Sequence, residues 1–147
     1  MARITSYIED GSKLPNNFVN YLCNPECKPY EIEHIWCDHI ENHSDEFEQI
    51  NEFSEWRNKI GDLVLLQNGN NQSYNDMPYD EKILYYPKEN ILAESLCKEA
   101  YDHNPNFLNF IKDEQLPFKY HENFKKVDLL DRCELYRQIS EKIWGKI

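Results

Sequence analysis

The chain has 147 residues, 40% of them hydrophobic, and a formal net charge of −11. That is enough for one compact domain with its own core and too little for two. A chain this acidic does not hold nucleic acid by bulk electrostatics, which relies on Lys and Arg to displace counterions from phosphates. No stretch approaches the roughly 18 uninterrupted apolar residues of a membrane span.

The opening residues, "MARITSYIEDGSKLP", lack the apolar run of a secretory signal, so a cytoplasmic location away from membranes is expected. The first 29 residues read as a loop-rich lead-in, punctuated by Gly11, Pro15, Pro25 and Pro29. Within them Cys23 and Cys27 form a Cys-x-x-x-Cys turn that could share a structural zinc with Cys37, His39 or His43. The five cysteines, which include Cys97 and Cys133, are odd in number and scattered, so plain reduced thiols are the simpler reading.

"YEIEHIW", residues 30–36, reads as a strand on its β-branched and aromatic content. An acidic run follows: residues 31–55 carry nine Asp and Glu and no Lys or Arg, a pattern that a solvated helix face explains. With Ser44 or Asp45 as N-cap, Phe47, Ile50, Phe53, Trp56 and Ile60 recur at helical spacing and predict an amphipathic helix. "IGDLVLL" then predicts a buried strand introduced by Gly61, and "QNGNNQSYND" a polar loop.

The remainder reads as helical. Pro78 fits the first turn of a helix through Tyr86, Asn90 can cap "ILAESLCKEAY", and Asn104 with Pro105 opens "NFLNFIK". A last helix capped by Asp128 puts Leu129, Cys133, Tyr136, Ile139 and Ile143 on one face. The expected class is α+β, mostly helical, with a small β-hairpin.

In such a hairpin the end of the first strand (Glu33, His34), the start of the second (Asp62) and the loop beyond (Asn70, Asn71) can converge. Their chemistry suits metal-assisted phosphodiester hydrolysis. A neutral imidazole takes a proton from water near working pH, while carboxylate and amide oxygens are hard ligands for Mg2+. A lone Glu-His pair is more often a surface ion pair or a hydrogen-bonded core histidine.

The segments "YEIEHIW", "RNKIGDLVLL", "NNQSYNDMPYDEKILYY", "NILAESL", "NPNFLNF" and "RCELYRQISEKIW" together resemble the C-terminal nuclease domain of GmrSD-type restriction endonucleases. The resemblance runs in order from about Ser6 to Trp144 and implies an HNH (ββα-metal) core over residues 30–82 with helical support from 83 to 147. It implies that His34 is the general base, that Glu33 and Asn71 bind one Mg2+ or Mn2+, and that Lys82 serves a substrate phosphate or the transition state. Asn70 and Ser73 fall in the same loop and are expected at the substrate. The middle motif position, commonly Asn, is Asp62 here; it is expected either to orient His34 or to add a carboxylate to the metal. The proline that often follows the first histidine is absent from "HIWCD".

The expected activity is therefore cleavage of DNA in restriction of, or defence against, phage or other foreign DNA. The expected partner is an N-terminal NTP-hydrolysing module, resembling the ParB/sulfiredoxin type, in the same longer polypeptide or in a partner subunit. The rival expectation is a binding or regulatory module of the same fold whose site has drifted, with zinc, if any, only structural. Asp38 and His39 are expected on the acidic surface, and His43, His103 and His121 are read as surface histidines. Trp56, Tyr85, Tyr86 and Trp144 are read as core.

Overall fold

In the computed structural model, which describes residues 1–22, 26, 28–69, 74 and 76–145, β1 (Tyr30–His34) pairs antiparallel with β2 (Leu63–Gln67). The register sets Tyr30 opposite Gln67, Glu33 opposite Val64 and His34 opposite Leu63. Helices surround this hairpin, which is the mostly helical α+β arrangement expected from the sequence. They are α1 (Ala2–Gly11), α2 (Phe18–Leu22), α3 (Ile50–Arg57), α4 (Tyr79–Lys82), α5 (Ile91–Glu94), α6 (Glu99–Asp102), α7 (Pro105–Glu114) and α8 (Lys126–Trp144). Short 3-10 turns occupy Ile40–His43, Ile60–Asp62 and Tyr86–Lys88. No described helix is long and apolar enough to cross a membrane.

The first residues are helical rather than loop-like. Ile4 and Ile8, four apart, put one face of α1 into a core with Phe107, Phe110, Leu135 and Tyr136. Gly11 makes the end of that helix possible, because a Cβ there would stand 2.1 Å from the Phe110 ring.

The helix after the acidic run starts later than its spacing predicts, at Ile50. Asp45 does not cap it, since its carboxylate takes the Lys125 ammonium at 2.9 Å. Phe47 still reaches the core, from outside the helix. The helices predicted after Pro78 and Asn90 are likewise broken into single turns. Asn90 does cap, its side chain accepting from the Leu92 and Ala93 amides, but Leu96 N–H turns to the Ala93 carbonyl and Cys97 N–H to that of Glu94. Asn104 and Pro105 open α7 as expected, but α8 begins before Asp128, at Lys126 with Lys125 as N-cap, and Asp128 in its first turn reaches back to accept the Lys125 N–H at 3.0 Å.

Two apolar clusters result. One, around Trp36, Phe53, Val64, Leu66 and Tyr86, lies against the hairpin. The other joins α1, α5, α7 and α8. Tyr86 is core as expected, but Trp144 is 60% exposed at the end of α8 and Tyr85 is only partly covered. His43 and His121 are buried instead of lying on the surface. The His43 ring packs on Trp36 at 4.3 Å, and His121 Nδ1 lies 2.8 Å from the Asp128 carboxylate.

Helix α8 seats the turn that leads into β2. Gly61 lies so close to it that a Cβ would meet the Leu129 carbonyl oxygen at 2.2 Å and Cys133 Sγ at 2.8 Å, and Tyr136 donates its hydroxyl to the Leu63 carbonyl at 2.8 Å. A Gly61→Ala substitution forces backbone apart where no side chain can yield. Its unfolding free energy in urea is expected to drop by about 2–3 kcal/mol; a change within roughly 0.5 kcal/mol would show that the turn is not clamped in this way.

Candidate active site

The alternation along β1 places Glu33 on the same face as the core residue Ile35, opposite Val64, and turns His34 and Ile32 to the other face. The consequence inverts ordinary patterning: Ile32 is 57% exposed while Glu33 is 2% exposed. A carboxylate buried alone would be strongly unfavourable. Here it has a counter-ion, for Lys82, also fully buried, brings Nζ to 3.2 Å from Glu33 Oε1 and donates to the His34 carbonyl at 2.7 Å. Burial pushes the Glu33 carboxyl upward and Lys82 pulls it back; burial pushes the Lys82 ammonium downward and Glu33 pulls it back.

Asp62 is fully buried at the entry to β2 and straps the exit from β1. Its main-chain oxygen accepts Ile35 N–H at 2.7 Å and its side-chain Oδ1 accepts Trp36 N–H at 3.0 Å. Oδ2 finds no hydrogen-bond partner among the described residues. Burial raises this carboxyl well above the usual range for aspartate. The same is true of the enclosed Tyr86 hydroxyl, also without a partner, on which the charges of Glu33 and Asp62 act.

His34 is half-buried. Burial lowers the affinity of its imidazole for a proton, with a further contribution from the Arg57 charge, and Asn58 opposes them as a hydrogen-bonding neighbour. The ring is therefore biased toward the neutral form that a general base needs. Arg57 ends α3, with Nε donating to the Trp36 carbonyl at 3.2 Å and Nη1 3.8 Å from Asp38 Oδ1.

The structure thus gathers Glu33, His34, Asp62 and Lys82 at one end of the hairpin. Asn70, Asn71 and Ser73 lie outside the described residues, as do Cys23 and Cys27 of the zinc turn. β2 ends at Gln67, opposite Tyr30 and away from His34, and the chain has returned to Glu33 by Lys82. Asp38 and His39 are exposed, as expected. Cys37 is buried and accepts a hydrogen bond from the Asn42 amide at 3.0 Å. Among the described residues no group of three or more His, Cys, Asp or Glu is placed to hold a metal. Arg57 and Asn58 escape sequence reasoning, although their position just after the cation-free acidic run is a signal.

Residues 3–115 match the family model of GmrSD restriction endonucleases, C-terminal domain. The chain belongs to that family. All the candidate residues from Glu33 to Lys82 fall within the matched span, and helix α8 lies beyond it. Comparisons with curated proteins and with solved structures give no match.

In this GmrSD C-terminal domain the burial of Glu33 makes Lys82 a partner whose removal is costly. Lys82→Met leaves a carboxylate uncompensated, and stability is expected to fall by about 3–5 kcal/mol at neutral pH. In the variant Glu33 folds most favourably with its proton on, so the deficit should be largest above the raised folded pKa. It should shrink as pH falls toward the ordinary value of 4.5. Urea denaturation of wild type and variant across that range tests the sign; a deficit that is constant with pH would show that Glu33 is not the group left unpaired.

Proposed function

We propose that this chain is the metal-dependent, HNH-type nuclease domain of a DNA restriction system. The observation that supports the reading is that Glu33, His34 and Asp62 lie at the same end of the hairpin, Glu33 and His34 on its opposite faces, within a chain of the GmrSD nuclease family. The His34 imidazole, kept neutral by burial, takes the proton of a water molecule as that water attacks the scissile phosphorus, and the bond to the 3′ oxygen breaks.

The donor set suits a hard divalent cation. Mg2+ keeps most of its waters and needs only one or two protein oxygens, which Glu33 and the amide of Asn71 would provide. Such an ion, when bound, supplies neutralisation of the charge that gathers on the phosphate and the leaving oxygen. Glu33 is enclosed and bonded to Lys82, so the ion would have to draw it from that pair. Asp62 fixes the course of the chain just after His34. Asn70 and Ser73 belong to the loop expected at the substrate. An N-terminal NTP-hydrolysing module would bring DNA to a domain whose own charge repels it, and the biological role is defence against phage or other foreign DNA.

The rival reading, a drifted binding or regulatory module, draws support from Asp62 in the place of Asn and from the enclosure of Glu33 against Lys82. Cleavage of plain and phage-modified supercoiled DNA with Mn2+ or Mg2+, by this domain and by the longer protein with nucleotide, separates the two. His34→Ala is expected to lower kcat by about 10²–10⁴-fold with Mn2+ binding by calorimetry intact, whereas Glu33→Gln loses the Mn2+ isotherm. A wild type that neither cuts nor binds Mn2+ leaves the rival standing.

A further inference from the structure

We propose that Arg57 is the residue with which this site grips a DNA phosphate, an assignment that rests on the nuclease reading above. A nuclease site needs a cation that can meet a phosphate oxygen. Lys82 does not offer one: its ammonium is fully buried and bonded to Glu33 and to the His34 carbonyl. Residues 31–55 contain no Lys or Arg, so Arg57 is the first cation after the strand that carries His34. Lys59, exposed two residues on, adds a second positive charge to the same turn.

The geometry of Arg57 fits the task. Its Nε is anchored on the carbonyl of Trp36, two residues past His34, at 3.2 Å. The side chain is 15% exposed, so the protein holds most of it and a small part meets water. A guanidinium fixed in this way loses little freedom when it meets a planar or tetrahedral oxyanion. Of the charges that act on the His34 imidazole, that of Arg57 is the strongest.

Asp38 marks where the phosphate oxygens would sit. Its carboxylate is 3.8 Å from Nη1, beyond hydrogen-bond reach, and 71% exposed. Such a loose surface pair contributes little to stability. A phosphate, better matched to the guanidinium fork, displaces it.

The test is fluorescence anisotropy of a fluorescein-labelled duplex oligonucleotide with Ca2+ over a series of salt concentrations, with Mn2+-dependent cleavage run in parallel. Circular dichroism establishes that each variant is folded. Arg57→Gln is expected to weaken binding about tenfold and to reduce the slope of log K against log salt by about one. Arg57→Lys should keep the slope and lose part of the affinity, and Asp38→Asn should tighten binding severalfold more than the same-charge control Asp113→Asn on α7, an excess that a purely structural Arg57 would not produce. If Arg57→Gln does not fold, the other two variants decide.

Wild-type affinity and slope in Arg57→Gln, or no gain in Asp38→Asn beyond that of Asp113→Asn, overturn the assignment even where the wild type cuts, and leave the nuclease reading intact. A wild type that binds through Arg57 and never cuts upholds the phosphate contact and removes the nuclease reading. A wild type that does not bind the duplex overturns the assignment outright.

Discussion

The buried ion pair between Glu33 and Lys82 is the constraint on which the arrangement of the site depends. A strand that turns a carboxylate toward the core is unstable by itself, because the loss of hydration exceeds what packing against Val64 can return. The lysine that compensates comes from α4, so the pair fastens α4 to the end of β1. Its second bond, to the His34 carbonyl, fixes the backbone that carries the imidazole. One buried cation thereby fixes both the acid and the histidine, and it does so without touching solvent.

Much of this was legible in the sequence, and the parts that were not share a cause. The two strands, the capping by Asn90 and the start of α7 at Pro105 are set by local preferences, and the structure has them where the residues predict. The helix α1 was hidden because its signal is only a few residues, Ile4 and Ile8 above all, followed closely by Gly11 and Pro15. Asp45 was a plausible cap whose carboxylate is claimed by Lys125, eighty residues away. The burial of His43 and His121 escapes the sequence for the same reason: what buries them is Trp36 for one and Phe124 and Asp128 for the other, partners that spacing cannot reveal.

In the site itself, residue types and order were legible and orientation was not. The spacing of "YEIEHIW" marks a strand but not which face goes inward. The usual choice would bury Ile32, and only the lysine 49 residues beyond Glu33 reverses it. The same long-range dependence explains α8. It lies outside the span that carries the family likeness, yet through Gly61, Leu129 and Tyr136 it holds the turn from which Asp62 reaches the β1 exit.

Asp62 shows how little an acid in place of an amide changes the bond that the fold depends on here. The bond that matters structurally is the one its Oδ1 accepts from Trp36 N–H, and an asparagine oxygen accepts the same bond. What distinguishes the two residues is the second atom, Oδ2, which is enclosed without a partner. In a space that also feels the charge of Glu33, an ionised second carboxylate is disfavoured, and burial shifts Asp62 toward its protonated form. A neutral carboxylic acid has nearly the shape and polarity of the amide it replaces. The His34 imidazole is biased toward its own neutral form by burial and by the charge of Arg57. The bond from Trp36 N–H to the Oδ1 oxygen therefore straps the backbone in either chemistry.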